Sequence, residues 1–364
     1  MIEAVILVGG EGRRLRPLTD TRPKPMMPLV DRPFVAHQLD QLRRFGVTDV
    51  IFSCGYRPEA LENHFGDGAQ MGMRLRYVVD PIPLGTAGAV KNAESLLDGR
   101  QVLVFNGDVL TDLDLSAVVA QHDATGVAGT LALTPVADPS RYGLVRLHPD
   151  RRVEAFLEKP GPDQLRPGEP FLINAGTYLL EREVLANIPS GEPCSIERDI
   201  FPGLAQAGRL AGYPSDSYWR DIGTPDSYLQ AHLDVLAGAV RTEAPTGDRY
   251  FGPGVRLAAD ARIGGGTTIG PDVVVGAGAV VLRSVIGAGS WIGQGAHIEG
   301  AIIGAGVNVG DRVRLSDGVV VGDGATIAAG VTAAAVTIAT NADVYQSQST
   351  QEEPREPARP PSHL

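Results

Sequence analysis

The sequence predicts an α/β domain built on a mainly parallel sheet, followed by a β-helix. Two patterns carry that reading. Over residues 1–240, short apolar runs alternate with segments of helical spacing, as they do where strands lie parallel and helices cross between them. From Phe251 onward, apolar residues recur every six positions: Phe251, Leu257, Ile263, Ile269, Val275 and Val281, then Ile286, Ile292 and Ile298, then Ile303, Val309, Leu315, Val321 and Ile327, with two slips of five. A hexapeptide period places one apolar side chain inside each flat face of a left-handed β-helix, and glycine turns the corners. Glycine follows the same division. The chain has 45 in 364 residues, about one in eight against a usual ~7%, and 20 of them fall in residues 251–333. A flexible glycine linker would not keep isoleucine and valine in register.

Taken in order, residues 4–8 are a short apolar run that reads as a buried strand and leads straight into Gly9 and Gly10. Residues 33–45 carry Phe34, Leu39, Leu42 and Phe45 at helical spacing, with Asp31 and Pro33 as start signals and Gly46 as the stop. Residues 50–53 read as the next strand, 86–97 as a helix closing near Gly99, and 102–105 as a third buried strand running into Asn106-Gly107-Asp108. Further strands are expected at 127–134, 143–147, 153–158 and 173–180, and helices at 181–187, 196–207 and 225–239. Residues 241–250 read as a linker, 251–335 as the β-helix, and the polar, proline-rich segment 341–364 as a disordered tail.

Composition narrows the function. Apolar residues make up 43% of the chain, which excludes wholesale disorder, and 364 residues suit two domains. No run of 18 apolar residues occurs, and MIEAVILVGG lacks the basic flank and cleavage site of a signal peptide. The chain therefore reads as cytoplasmic, with no membrane partner. A net charge of −11 argues against nucleic acid as a partner, so any phosphate must be met by a local basic site. Two cysteines, Cys54 and Cys194, make neither a disulfide framework nor a zinc set. Of 32 lysines and arginines only Lys24, Lys91 and Lys159 are lysine, which singles out positions suited to a compact ammonium.

Six motifs concentrate the chemistry. Gly9-Gly10-Glu11-Gly12-Arg13-Arg14, continuing to Pro23-Lys24-Pro25, follows the first strand directly, where glycine amides and cations meet anions. It lacks the third glycine of GxGxxG, since Leu15 stands there, and GxxxxGK[ST] is absent. Leu84-Gly85-Thr86-Ala87-Gly88 opens a helix with small residues that let a flat ring approach. Asn106-Gly107-Asp108 puts a carboxylate at the carboxyl end of a parallel strand, the edge where α/β sheets bind ligands. Glu158-Lys159-Pro160, Asn174-Ala175-Gly176 and Trp219-Arg220-Asp221-Ile222-Gly223-Thr224-Pro225 complete the set. Singly, each has a plain structural reading: a turn with solvated arginines, a tight helix start, a turn aspartate, a surface ion pair.

Together and in this order, the six resemble the sugar-1-phosphate nucleotidyltransferases, across about residues 2–235, and the hexapeptide repeats extend the likeness to about 335. PKPMMPL, Ser195-Ile196-Glu197 and the β-helix are most similar to the mannose-1-phosphate guanylyltransferases within that family. The resemblance implies a Rossmann-like catalytic domain. Arg13 and Lys24 would bind the triphosphate and stabilise charge at the α-phosphorus. Asp108 and Asp221 would hold Mg²⁺. Gly9, Gly10, Gly12, Gly85 and Thr86 would line the nucleotide pocket, and Asp80 would accept from the guanine N1–H and N2–H. Lys159 would hold the sugar phosphate, with Glu158, Asn174 and Gly143 on the sugar.

The residue types suit that chemistry. A sugar 1-phosphate oxygen attacks the α-phosphorus and pyrophosphate leaves. The nucleophile is already an anion, so positioning and charge neutralisation are the main tasks. GTP and mannose 1-phosphate are the expected substrates, with GDP-mannose as product. Thymidylyl, adenylyl or uridylyl transfer to glucose 1-phosphate, or transfer to an unusual sugar-like phosphate, stay open. Hexapeptide coils also occur in acyltransferases, which makes a bifunctional enzyme an alternative. His297, the only histidine of the repeat, precedes an inward position and reads as a solvated side chain. A regulatory subunit is a third alternative, disfavoured because Arg13, Lys24, Asp108, Lys159 and Asp221 are all present. The flat faces of a β-helix lead us to expect a homo-oligomer, most simply a two-fold dimer.

Overall fold

The computed structural model describes residues 2–349 apart from Tyr56 and Pro167; segment 350–364, part of the expected tail, lies outside the described residues. The chain divides into two compact units, Met1–Tyr250 and Phe251–Leu364.

The first unit opens with β1 (Ile2–Leu7), a hairpin of β2 (Pro28–Leu29) and β3 (Arg32–Pro33), and α1 (Phe34–Arg44). Then come β4 (Asp49–Cys54), α2 (Glu59–Phe65), β5 (Arg74–Val79), α3 (Gly85–Asn92), β6 (Gln101–Asn106), β7 (Val109–Thr111) and α4 (Leu115–Thr125). The chain continues through β8 (Gly129–Val136), β9 (Gly143–Leu147), β10 (Val153–Glu158), β11 (Phe171–Glu181), α5 (Phe201–Gln206), β12 (Leu210–Pro214), β13 (Trp219–Asp221) and α6 (Pro225–Leu236). One nine-stranded sheet runs β10-β9-β11-β6-β1-β4-β5, with β8 on β11 and β12 on β8. Strands β5, β4, β1 and β6 are parallel, and β11 runs antiparallel to β6. The chain leaves β1 for β4 and β5 on one side and returns to β6 on the other. That reversal makes the carboxyl end of β1 the switch point where an open α/β sheet forms its crevice.

Both faces of the central strands are covered, which is why residues 4–7 of β1 read as an unbroken apolar run, while the buried Glu3 pairs with Arg76. Val5 and Val104 pack with Tyr178 and Phe201 on one face, and Ala4, Ile6 and Phe105 with Leu39 and Phe52 on the other. Several elements depart from the sequence pattern. Helix α4 was not apparent from apolar spacing, although Asp114 caps it by accepting from the Ser116 and Ala117 amides, at 2.9 and 3.2 Å, and Gly126 ends it in the left-handed region. Strand β5 alternates Arg74 and Arg76 with Leu75, and both arginines pair with Asp49. The expected helix at 181–187 is a 3₁₀ turn, Arg182–Asn187. The one at 196–207 starts as a π turn, Ile196–Ile200, and becomes α-helical from Phe201, where Pro202 has no amide to continue the earlier ladder.

The second unit consists mainly of three parallel six-stranded sheets, consistent with a left-handed β-helix. Partners within one sheet are Ile269 with Ile286, Ile286 with Ile303, Ile303 with Val321, and Val321 with Ile338. Each slip of five shortens one coil at the same corner, and a third, from Ala333 to Ile338, follows the two seen in the repeat. Each face also turns a second residue inward two positions earlier, such as Val273, Ala279, Ala296, Val307 and Val313. Where that residue is polar it is bonded: Ser290 Oγ donates to the Gly304 carbonyl at 2.9 Å and accepts from the Val307 amide at 3.1 Å. Strands Thr337–Ile338, Asp343–Val344 and Gln348–Ser349 carry the coil past residue 335, so part of the segment read as a tail is built into it. His297 faces outward, its Nε2 3.7 Å from Glu299 Oε2. Among the described residues no helix is long and apolar enough to cross a membrane.

One buried histidine makes the first unit sensitive to acid. His232 of α6 accepts from the Val30 amide at its Nδ1, 3.3 Å away, and its Nε2 lies 3.2 Å from the Pro28 carbonyl, an arrangement that requires the neutral ring. Burial pushes its pKa from the ordinary histidine value of 6.5 down to about 3. The unfolded chain therefore takes up a proton near pH 6.5 that the folded chain refuses, and stability falls from there toward pH 3. The melting temperature should drop between pH 7 and pH 5, and His232→Gln should flatten that slope while lowering stability at pH 7. An unchanged slope in the variant would remove His232 as the cause.

Candidate active site

A cleft of about 510 Å³ opens at the carboxyl ends of β1 and β6. Of the residues singled out in the sequence, Gly9, Gly10, Lys24, Asp80, Gly85, Thr86 and Asp108 line it. Gly12, Arg13, Gly143, Glu158, Lys159, Asn174 and Asp221 are not among its walls.

Asp108 follows β6 across Gly107. The Gly107 amide donates to the Leu7 carbonyl at 2.9 Å, and a Cβ there would stand 2.5 Å from that oxygen, so only glycine lets the turn press on the end of β1. Helix α1 grips the same turn: the buried Gln38 Nε2 donates to the Asn106 and Val109 carbonyls, both at 2.9 Å. Lys24 opens a 3₁₀ turn, is buried, and its Nζ donates to Asp108 Oδ2 at 2.8 Å. Asp221 comes from far along the chain. Strand β13 pairs antiparallel with β7, Asp221 lies opposite Val109, and the Ile222 amide donates to the Asp108 carbonyl at 3.0 Å.

The two carboxylates feel one another. Burial raises the Asp221 pKa, the charge of Asp108 raises it further, and Lys24, Arg14 and the Gly223 amide pull it back. Asp221 Oδ1 is buried without a hydrogen-bond partner. A buried carboxylate oxygen in that state is costly until a cation meets it. Two carboxylates beside an open cleft fit a hard divalent ion that takes its other ligands from phosphate oxygens and water. Among the described residues no cluster of three or more His, Cys, Asp or Glu side chains is placed to hold a metal ion.

The tandem arginines part ways. Arg13 is exposed, with its Nε on Glu11 Oε2 at 2.7 Å. Arg14 turns toward Asp221: a Cβ placed on Gly223 would lie 2.6 Å from an Arg14 terminal nitrogen and 2.9 Å from Asp221 Oδ1. The resemblance gives the triphosphate role to Arg13; adjacent arginines in a loop carry no periodicity that tells inward from outward.

On the far wall, Asp80 follows β5. Its Oδ1 accepts from Asn92 Nδ2 at 3.0 Å and Ser53 Oγ at 3.4 Å; burial raises its pKa and those two bonds lower it. The glycines of LGTAG answer to the protein itself. Gly85 has φ +69°, and a Cβ on it would stand 2.7 Å from the Cys194 carbonyl; one on Gly88 would stand 2.8 Å from the Glu192 carbonyl. The Ala87 and Gly88 amides both donate to Cys194 O, and Cys194 N donates to Leu84 O. Close approach of segment 192–194 therefore demands glycine here, beside any approach of a ring. Thr86 Oγ1 donates to Glu197 Oε2 at 2.7 Å. By contrast, Gly10 has open space around its Cβ position, and Gly12 takes φ +65° against Thr19.

A second group gathers around β9 and β10. Gly143 lies opposite Glu158 in the ladder, and a Cβ on it would meet Phe156 at 2.5 Å and Glu158 Oε2 at 3.2 Å. Lys159 has φ +50°, and its largely exposed ammonium is 3.9 Å from Glu158 Oε1. Glu158 is raised by burial and by the charge of Glu197, against Lys159 and Arg198. Asn174 sits where the register of β11 against β8 shifts, and its Oδ1 accepts from the Gly176 amide at 3.2 Å. Arg14, Gln38, Ser53, Asn92 and Glu197 were not assigned to the site from sequence. Of these, Arg14 and Glu197 stand in motifs that the sequence singles out, whereas Gln38, Ser53 and Asn92 stand in none of them.

Comparison with known proteins agrees with this division of the chain. A family profile described as "Nucleotidyl transferase" matches residues 3–238, and one described as "GMPPB C-terminal domain" matches residues 246–353. A mannose-1-phosphate guanylyltransferase of Mycobacterium tuberculosis is 39% identical over 274 residues, 73% of this chain and 74% of that one. A mannose-1-phosphate guanyltransferase of Emericella nidulans is 35% identical over 276 residues, 72% of this chain and 73% of that one. Among solved structures, HddC from Yersinia pseudotuberculosis complexed with GMP-PN has a TM-score of 0.54 and 26% identity, covering 65% of this chain and 100% of that one.

The glycine geometry is testable by itself. Gly85→Ala adds a strained φ and a backbone clash and should destabilise by about 1–3 kcal/mol. Gly10→Ala meets open space and should stay within about 0.5 kcal/mol of the wild type. Equal urea midpoints for the two variants would refute the distinction.

Proposed function

The chain belongs to the nucleotidyl transferase family, and we propose that it transfers the guanylyl group of GTP to mannose 1-phosphate, giving GDP-mannose and pyrophosphate. The observation that carries this reading is the convergence of Lys24, Asp108 and Asp221 at the glycine-walled cleft on the switch point, in a chain whose relatives bear that activity in their names.

A phosphate oxygen of mannose 1-phosphate attacks the α-phosphorus of GTP. The bond from that phosphorus to the β-phosphate bridging oxygen breaks, and pyrophosphate carries away the electron pair. The attacking oxygen is already deprotonated, so no general base is needed. Two polyanions must instead be held together. Lys24 is anchored to meet the triphosphate, and Arg14, aimed at the same corner, is placed to share the charge at the α-phosphorus. Arg13 would join by leaving its surface pair with Glu11. The amides of Gly9, Gly10 and Gly12 would cradle phosphate, Gly85 and Thr86 would flank the nucleoside, and Asp80 would accept from the guanine N1–H and N2–H, donors that adenine lacks on that edge. Lys159 would hold the sugar phosphate, while Glu158, Asn174 and Gly143 would read the sugar.

Nucleotidyltransferases of this family typically use a divalent metal. Asp108 and Asp221 would hold Mg²⁺, which would supply positive charge to offset the phosphates. We further infer a homo-oligomer through the coil, supported by exposed Trp291, Leu257 and Tyr345 on that unit. The absence of a membrane-crossing helix among the described residues is compatible with a cytoplasmic enzyme.

Pyrophosphate release, measured with Mg²⁺ across GTP, dTTP, ATP, UTP and CTP and the 1-phosphates of mannose, glucose, galactose and glucosamine, should peak for GTP with mannose 1-phosphate. A different peak changes the substrates, and silence across the grid overturns the function. Asp108→Ala and Asp221→Ala should each lower kcat/KM by at least ~10²-fold, and Arg14→Ala should cost more than Arg13→Ala. The reverse order for the arginines would return the role to Arg13. Light scattering at micromolar concentration should give more than the monomer mass; a monomer removes the oligomer.

A further inference from the structure

The segment Ser195-Ile196-Glu197 has no part in the mechanism above, yet it leads into the π turn Ile196–Ile200, which packs against both α3 and β10. Glu197 Oε2 accepts from Thr86 Oγ1 at 2.7 Å and from Ser195 Oγ at 2.9 Å, and the Ile196 amide donates back to Thr86 Oγ1 at 2.9 Å. These bonds close a ring between the first turn of α3 and the π turn Ile196–Ile200. A π turn is an uncommon element that recurs at functional sites. Three backbone bonds already clamp Cys194 to Leu84, Ala87 and Gly88, so the ring is the last link of a continuous strap. Thr86 lines the nucleotide cleft, whereas Glu158 belongs to the second group, and Glu197 faces it with a like charge.

We propose that Glu197 is a positioning residue that joins the nucleotide wall of the cleft to its sugar side, holding Thr86 through hydrogen bonds and setting the charge that Glu158 meets. The proposal rests on the function given above. The groups bearing on Glu158 are Glu197 and Arg198 from the π turn and Lys159 beside it in the chain. Burial and the Glu197 charge both raise the Glu158 carboxyl, and Lys159 and Arg198 oppose them. A carboxylate accepts a sugar hydroxyl better when ionised, so the acid limb of kcat/KM for the sugar phosphate should follow Glu158.

Two variants separate the two arms. Glu197→Gln keeps an oxygen for Thr86 and Ser195 and removes the charge. It should leave the KM for GTP within about twofold and move the acid limb for mannose 1-phosphate to lower pH, because Glu158 loses its like-charged neighbour. Glu197→Ala removes the acceptor as well and should raise the KM for GTP by about tenfold. Glu158→Gln should abolish the limb. A limb that stays in place in Glu197→Gln, or equal KM values for GTP in both variants, overturns the proposal. A structural role alone would lower the melting temperature and leave the limb unmoved. Inactivity of the wild type across the whole substrate grid would sink the function and the proposal together, whereas an active wild type matched by both variants would sink the proposal alone.

Discussion

Two like charges, Asp108 and Asp221, are held beside one another at the mouth of a cleft, and much of the first unit serves to keep them there. Left to itself the pair would separate, because a buried carboxylate is destabilised by a neighbour of the same sign. Backbone structure prevents it. The β7–β13 ladder sets Asp221 opposite Val109, and the Ile222 amide is bonded to the Asp108 carbonyl. Gln38 holds the carbonyls on either side of the Gly107–Asp108 turn, and Lys24 meets one of the four carboxylate oxygens. The strain of the arrangement is concentrated on Asp221 Oδ1, which is buried with no donor.

The glycines of the site divide by what they avoid. Gly107 avoids the end of β1, Gly55 avoids Gly9, Gly85 avoids Cys194, and Gly88 avoids Glu192; in each case the obstacle is a backbone oxygen that cannot move aside cheaply. Such contacts pack the crevice walls tightly and fix the distance between them. Gly10 alone among the cleft glycines has empty space at its Cβ position, which leaves that stretch of backbone open toward the cleft. A glycine-rich motif is thus part architecture and part binding surface, and spacing does not separate the two.

The second unit solves a different problem with the same residue. Each coil buries two side chains per face, an aliphatic one at the face centre and a second two positions earlier. Repeated shortening at one corner keeps Ile269, Ile286 and Ile303 stacked, since each coil loses its residue at the same place. Buried serines near the corners exchange hydrogen bonds with the next coil, so polarity there costs little.

Local periodicity records burial, and so the parallel strands β1, β4 and β6, helix α1 and the hexapeptide coil were legible in the sequence. So was the grouping of chemistry-bearing residues into six short motifs. Short elements that mix polar with apolar residues were not: β5, whose arginines pair with Asp49, and α4, which Asp114 caps, bury only Leu75 and Leu115 with Val118 in the core. Adjacency was beyond the sequence too. Asp108 and Asp221 meet through a strand pairing, Arg14 and Arg13 differ only in direction, and Glu197 reaches Thr86 across 111 positions. The sequence by itself determined which residues are buried and which turns are tight, because those follow from neighbours along the chain. Only the tertiary structure decided which charges face one another, because that depends on how strands distant in sequence pair and on backbones close enough to exclude a Cβ.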